Sequence, residues 1–353
     1  KALDIRRDFC YVVCRGDSMP CYHPLKAIPN GKTENGKTNY RFITDTWLLN
    51  YKVKHGHDFA PDKIQKIPCG QCIGCRLEHS RQWANRCMLE LQYHDSSYFV
   101  TLTYDDEHVP RSFYPDPATG EANISLTLSK RDFQLFMKRL RKKFSDDHIR
   151  FFMSGEYGSS TFRPHYHAII FGLHLFDLTV YKRSTQGFTY FNSESLQSCW
   201  SDKDGRPLGY AVVAPVTWET CAYTARYVMK KLRGEEAAFY RKFNIQPEFS
   251  LMSRRPGIAR QYFDEHPDIY DSDFINVSTD KGGRKFKPPR YYDRLFDLEN
   301  PEKMQEIKEI RRKMAVAAQA AKLQRTELCE EDYLMVEERR KENQIKSLRR
   351  SLE

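Results

Sequence analysis

Residues 163–171 read Arg-Pro-His-Tyr-His-Ala-Ile-Ile-Phe, and no other segment constrains the fold as much. Ala168–Phe171 is an unbroken apolar run, the pattern of a central strand buried on both faces. Pro164 falls at the start of that strand, where a missing N–H is tolerated. Side chains alternate along a strand, so His165 and His167 share one face and Tyr166 points to the other. Two imidazoles so placed can converge on one metal ion. The plainer alternative is a pair of half-buried histidines hydrogen-bonded to their neighbours.

Glu156 precedes His165 by nine residues, in Phe151-Phe152-Met153-Ser154-Gly155-Glu156-Tyr157-Gly158. That segment reads as an apolar strand closed by a glycine-bounded turn. A hairpin would set the carboxylate beside the imidazoles and complete a two-histidine, one-carboxylate set with open coordination positions. Further on, the pattern predicts a helix over Trp218–Leu232, with Thr217 as N-cap, Glu219 in the first turn, cations in the last turn and Gly234 beyond. Trp218, Ala222, Ala225, Met229 and Leu232 form its apolar stripe. Tyr223, Tyr227 and Lys230 fall on the other side, near Glu219 and Arg226. Surface tyrosines occur without function, but two at i, i+4 followed by a lysine one turn on ask for a reason.

Taken together, these residues resemble a known family. His165-Tyr166-His167 is similar to the HUH motif of rolling-circle replication initiators, and Tyr227-Val228-Met229-Lys230 to their YxxK motif, with Tyr223 as the second tyrosine of the two-tyrosine class. The segment Tyr98–Tyr104 resembles the first-motif strand of that superfamily. More closely, the chain resembles the replication initiators of Microviridae, the gokushovirus branch in particular. The likeness runs through Met19–Leu25, Cys69–Arg76, Ser80–Ala84, Gly155–Gly158, Arg163–His167 and Ser253–Gly257.

The resemblance implies an α+β fold: an HUH endonuclease palm, ferredoxin-like, with an antiparallel-rich sheet covered by helices. An N-terminal Cys-rich segment and a C-terminal charged helical tail flank it. It also implies a nickase that leaves a 5′-phosphotyrosine and a 3′-hydroxyl primer, then rejoins ends to release circles. Single-stranded DNA or the viral origin would be the substrate. Host helicase and polymerase would be partners, in the cytoplasm of a bacterial host. A tyrosine hydroxyl, with a reference pKa of ~10, is a poor nucleophile unaided. An ion held by His165, His167 and Glu156 would polarise the scissile phosphate, and Lys230 would steady the phenolate. Imidazoles suit Mn²⁺ while Mg²⁺ prefers oxygen; the family uses either.

Composition agrees. Lys and Arg number 57 against 47 Asp and Glu, a formal charge of +10 that favours a polyanionic partner, and 21 tyrosines could stack on unpaired bases. No run approaches the ~18 apolar residues of a membrane span, and no signal-peptide pattern opens the chain. Ten cysteines in 353 residues do not make a secreted disulfide scaffold and suit a reducing cytoplasm. Cys69, Cys72 and Cys75 have a spacing suited to structural zinc, with Cys87 taken as fourth ligand and His79, Cys21 or His23 as alternatives. An iron–sulfur cluster and plain packed thiols are the rival readings.

Five stretches follow. Residues 1–18 read as an upstream segment outside the core, 19–97 as the Cys-rich region ending in a helix near 77–93, and 98–235 as the endonuclease domain. Within it the pattern predicts strands near 98–104, 149–154, 164–172 and 209–214, a polar proline-bearing loop after the first, and a helix over 130–144 capped by Ser129. Residues 236–300 form a basic subregion whose flexible run 282–290 offers Arg284, Lys285 and Lys287 to phosphates, alongside Arg163 and Arg226. Residues 301–353 form a charged helical tail. Two other classes compete with the nickase. One is a non-catalytic zinc-containing DNA-binding or packaging protein, the other a hydrolase that uses the two histidines with water as nucleophile.

Overall fold

The HxH segment forms the middle of a seven-stranded antiparallel sheet. In the computed structural model the described residues are 21–33, 38–158, 161–183, 188–227, 231–232, 234–279 and 282–348; for Asp62, Trp218, Glu219, Arg226, Tyr227, Thr279 and residues 346–348 this covers the backbone alone. They divide into two units, one of Lys1–Glu78 with Asp293–Glu353, the other of His79–Tyr292.

The first unit opens with β1 (Leu25–Lys32), β2 (Thr38–Ile43), α1 (Asp45–His55) and β3 (Gln65–Ile67). The strands pair in the order β2-β1-β3, and the boundary between units falls within the next helix, α2 (Ile73–Leu91). The second unit continues with β4 (Ser97–Thr103), β5 (Arg111–Pro115), β6 (Ala122–Leu126), α3 (Lys130–Lys143), β7 (Arg150–Tyr157) and β8 (Pro164–Phe171). Next come β9 (Thr179–Arg183), β10 (Thr189–Asn192), α4 (Glu194–Gln197), β11 (Ala211–Pro215) and α5 (Trp218–Tyr227). The unit closes with α6 (Ala238–Lys242), β12 (Phe249–Met252), α7 (Arg260–Glu265), α8 (Ile269–Ser272), β13 (Ile275–Thr279) and β14 (Gly282–Phe286). After α9 (Arg290–Glu299), in which the second boundary lies, the first unit resumes with α10 (Pro301–Leu323) and α11 (Glu330–Leu348).

The large sheet has the order β12-β7-β8-β4-β11-β10-β9, every neighbour antiparallel. This is an α+β fold with an antiparallel sheet covered by helices. On one face of β8, Tyr166, Ala168 and Ile170 pack with Phe133, Phe136, Met137 and Leu140 of α3 in one core. Those four helix residues sit at i, i+3, i+4 and i+7, so a single stripe reaches the sheet. Ser129 caps the helix by accepting from Asp132 N at 3.2 Å. On the opposite face α5 lies against β7 and β8, and Trp83 of α2 stacks on Phe152 with centroids 4.7 Å apart.

Tyr166, between the two histidines, is fully buried and ties α3 to the sheet. Its hydroxyl donates to Ser129 O at 2.8 Å and accepts from Ser129 N at 2.9 Å. Gly155, its register partner on β7, makes room for the ring: a Cβ there would lie 3.1 Å from Tyr166 Cδ1.

Several elements differ from the sequence reading. The proline-bearing loop after β4 contains the β5–β6 hairpin, whose strands pair across a turn closed by Asp116. The irregular stretch before β11 holds β9, β10 and α4. The run 282–290 is not a free loop: Gly282–Phe286 pairs with Ile275–Thr279. In α5 the buried side is Cys221, Thr224 and Ala225, rotated from the expected stripe of Ala222 and Ala225. The side chains of Trp218 and Met229 from that stripe lie outside the described residues. Among the described residues, no helix is long and apolar enough to cross a membrane.

Candidate active site

Register brings the expected trio together. Glu156 pairs with His165 across β7 and β8, and His167 stands two residues on, over Ser154. Both imidazole Nε2 atoms meet the same carboxylate oxygen: His165 at 2.7 Å and His167 at 2.9 Å from Glu156 Oε1. The Glu156 side chain is 1% exposed, His167 8% and His165 19%, so the site opens to solvent on the His165 side. Burial pushes the Glu156 carboxyl up, but the hydrogen bonds and charge of the two histidines outweigh it and hold it at about 2.

Each ring is held from behind. His165 Nδ1 lies 3.1 Å from Arg163 O, which can only accept, so Nδ1 carries the proton and Nε2 of the neutral ring presents a lone pair. That lone pair faces a carboxylate oxygen, an arrangement that is repulsive unless a proton or a cation lies between. His167 Nδ1 is 3.0 Å from Thr101 Oγ1 on β4. Phe99, on the same face of β4, stacks on the His167 ring at 5.5 Å and 11°. The donor set thus fits a divalent ion: two oriented imidazoles and an ionised carboxylate within 4.8 Å of one another.

Helix α5 begins where Thr217 and Thr220 cap each other, Thr220 N donating to Thr217 Oγ1 at 3.2 Å and Thr217 N to Thr220 Oγ1 at 2.8 Å. Its course brings the Tyr223 ring edge-on to His167, centroids 5.4 Å apart, and 6.0 Å from Phe99. The side chains of Tyr227 and Arg226, and Lys230 altogether, lie outside the described residues.

The remaining expected residues are dispersed. Arg163 pairs with Asp106 at 2.5 Å and donates to Tyr104 O at 3.0 Å, so its guanidinium braces the loop after β4. Lys285 and Lys287 sit over the Phe274 ring, at 4.1 and 5.9 Å, on the hairpin that also carries Arg284. Cys69, Cys72 and Cys75 do cluster, but their fourth neighbour is Cys21, not Cys87. Cys87 lies in the same helix as Cys75, twelve residues on, which at ~1.5 Å per residue is about 18 Å away. It is fully buried there. Of the alternatives, His79 accepts from Trp83 Nε1 at 3.3 Å and His23 pairs with Glu338. Phe99 and Thr101 escape a reading of the sequence. Alternation along β4 puts them on one face, but nothing local says that β4 is the neighbour of β8.

The family model for replication-associated proteins of the ORF2 type matches residues 97–232, from the first residue of β4 through the tyrosine helix. The chain is 32% identical over 341 residues to the replication-associated protein ORF2 of Spiroplasma virus 4, covering 95% of this chain and 98% of that one. It is 30% identical over 263 residues to the replication-associated protein VP4 of Bdellovibrio phage phiMH2K, with 70% and 75% covered. A match to the replication-associated protein ORF4 of Chlamydia phage 1 is 29% identical over 177 residues, 47% of this chain and 38% of that one. No solved structure matches the chain. The chain belongs to the family of phage replication-associated proteins. The resemblance to Microviridae replication initiators is thereby borne out, and with it a role in starting phage DNA replication.

Proposed function

We propose that this initiator is an HUH-type endonuclease and ligase that opens and rejoins single-stranded DNA through tyrosine esters. One observation carries the reading: Glu156, His165 and His167 converge on one point, and Tyr223, from a different element, lies against His167. The sheet order and helix cover are compatible with the palm that the resemblance implies.

His165, His167 and Glu156 would hold a Mn²⁺ or Mg²⁺ ion, which supplies positive charge to a non-bridging oxygen of the scissile phosphate. Tyr223 or Tyr227 contributes its phenol oxygen to phosphorus as the bond to the 3′-oxygen breaks. The phenol proton is given up and the departing 3′-oxygen takes one, leaving a 5′-phosphotyrosine and a 3′-hydroxyl. Attack of a 3′-hydroxyl on that ester reverses the step and closes a circle. Lys230 would stabilise the phenolate. Arg163, through Asp106 and the backbone of Tyr104, shapes the loop beside His165 rather than acting on the phosphate. The protein would work in the cytoplasm of the bacterial host, beside the host helicase and polymerase.

The test is incubation with a labelled single-stranded oligonucleotide carrying the phage's own origin, with Mn²⁺ or Mg²⁺. A protein–DNA adduct stable to denaturation is expected. Cleavage without adduct would instead indicate a water-using hydrolase, and binding with neither a DNA-binding or packaging protein.

A further inference from the structure

Four cysteines meet in the other unit, away from residues 97–232. Cys21 is the first described residue, Cys69 and Cys72 lie in the turn between β3 and α2, and Cys75 is in the first turn of α2. Their sulfurs all lie within 4.8 Å of one another, with Cys21 Sγ 4.0 Å from Cys72 Sγ. A disulfide would bring two sulfurs to about 2.05 Å, and all four thiols are free. A tetrahedral ion with bonds of ~2.3 Å would set its sulfurs about 3.8 Å apart, close to the spacing seen.

The backbone around them is arranged for negative sulfur. Cys69 N donates to Cys21 Sγ at 3.2 Å and Tyr22 N to Cys72 Sγ at 3.4 Å. Gln71 N and Cys72 N donate to Cys69 Sγ at 3.4 and 3.3 Å, and Cys75 N to Cys72 Sγ at 3.5 Å. A neutral thiol accepts weakly, whereas a thiolate draws charge-assisted donors. Gly70, at φ 72°, turns the chain so that the amides of residues 71 and 72 face back onto Cys69.

We propose that Cys21, Cys69, Cys72 and Cys75 form a closed, four-thiolate structural zinc site. Four sulfurs leave no open position, so the site holds structure and does no chemistry. A multi-iron cluster would need its thiolates further apart than these, which close on a single ion. The fold around it explains what the ion does. In β1, β2 and β3 the buried side chains are Ala27, Ile43 and Ile67 alone, and α1 buries none. So small a core needs a staple. Zinc would supply it by closing a loop of 48 residues between Cys21 and Cys69, beneath Tyr22 and Leu334.

The full-length chain, purified without chelator, is expected to carry about one zinc per chain, as a four-coordinate structural site requires. Replacement by Co²⁺ should give the visible bands and sulfur-to-metal charge transfer of a tetrahedral tetrathiolate. Cys21→Ser and Cys72→Ser should lose the zinc and melt lower. Cys87→Ser, Cys329→Ser and the His165→Ala/His167→Ala double variant should keep it. Folded wild-type protein without zinc would overturn the proposal, as would acid-labile sulfide and iron in its place. So would zinc that survives Cys21→Ser or departs with the two histidines. The wild-type metal count and the Co²⁺ spectrum decide the matter even where a serine variant fails to fold.

Discussion

His165 and His167 differ in how they are held, one by a backbone carbonyl and the other by Thr101 and the flat face of Phe99. Replacing both with Ala should lower nicking by about a hundredfold or more, because a bound ion is worth several kcal/mol of transition-state charge stabilisation. Single-strand binding should survive, since affinity comes chiefly from phosphate contacts elsewhere. Gel assays of adduct and of binding on the same samples separate the two; full nicking in the double variant at low metal would remove the site assignment. The tyrosines give a second prediction. One helical turn apart, both could serve a single phosphate with small adjustments. Lys230 follows Tyr227 by three residues, whereas Arg226 holds that offset from Tyr223 and is harder to deprotonate. Tyr227→Phe should therefore be the more damaged single variant, Tyr223→Phe should fail in repeated circle release, and the double variant should form no adduct. A Tyr223→Phe protein that releases circles like wild type would leave Tyr223 as a packing or base-stacking residue.

At the scale of elements, the strand that carries the histidines is also the anchor of α3. Tyr166→Phe removes the hydroxyl that donates to Ser129 O and accepts from Ser129 N, so two backbone groups at the helix start lose their partner. The expected cost is about 1–3 kcal/mol, read as a shift in the urea midpoint, with both histidines still in place. A variant as stable as wild type would mean that water replaces the hydroxyl. Glu90, near the end of α2, makes a different junction. It accepts from Arg150 of β7, from the Ala259 amide and from His94. Burial raises its carboxyl, but His94, Ala259 and Arg150 together prevail and hold it below the usual range. A depressed folded pKa contributes stability that is complete above the unfolded value of ~4.3 and is lost as pH falls below it. Glu90→Gln should therefore flatten the fall in stability below that pH while lowering stability at pH 7. Equal acid profiles for the two proteins would contradict this.

For the whole molecule, the charge of +10 predicts that single-strand affinity falls linearly on a log–log plot against salt, each phosphate contact adding about 0.7 to the slope. Arg284→Ala with Lys285→Ala should reduce that slope if the β13–β14 hairpin meets phosphates, and leave it unchanged if those side chains serve only the hairpin's own packing on Phe274. How much of the molecule can be read from the sequence follows from range. His165 and His167 on one face, Tyr166 on the other, the buried stripe of Phe133, Phe136, Met137 and Leu140, and the Ser129 cap are all legible, because strand alternation, the helical repeat and capping are set by backbone geometry within a few residues. So is the pairing of Glu156 with His165, which a short connection enforces. Tertiary structure decided the rest. It put β4 beside β8, so that Phe99 and Thr101 back His167, and it rotated α5 so that Cys221 and Thr224 are buried. It also chose Cys21 over Cys87 as the neighbour of Cys69, Cys72 and Cys75. A rigid helix carries Cys87 away from Cys75, while the chain between Cys21 and Cys69 can fold back; distant partners are selected by packing and loop closure, which leave no periodic mark in the sequence.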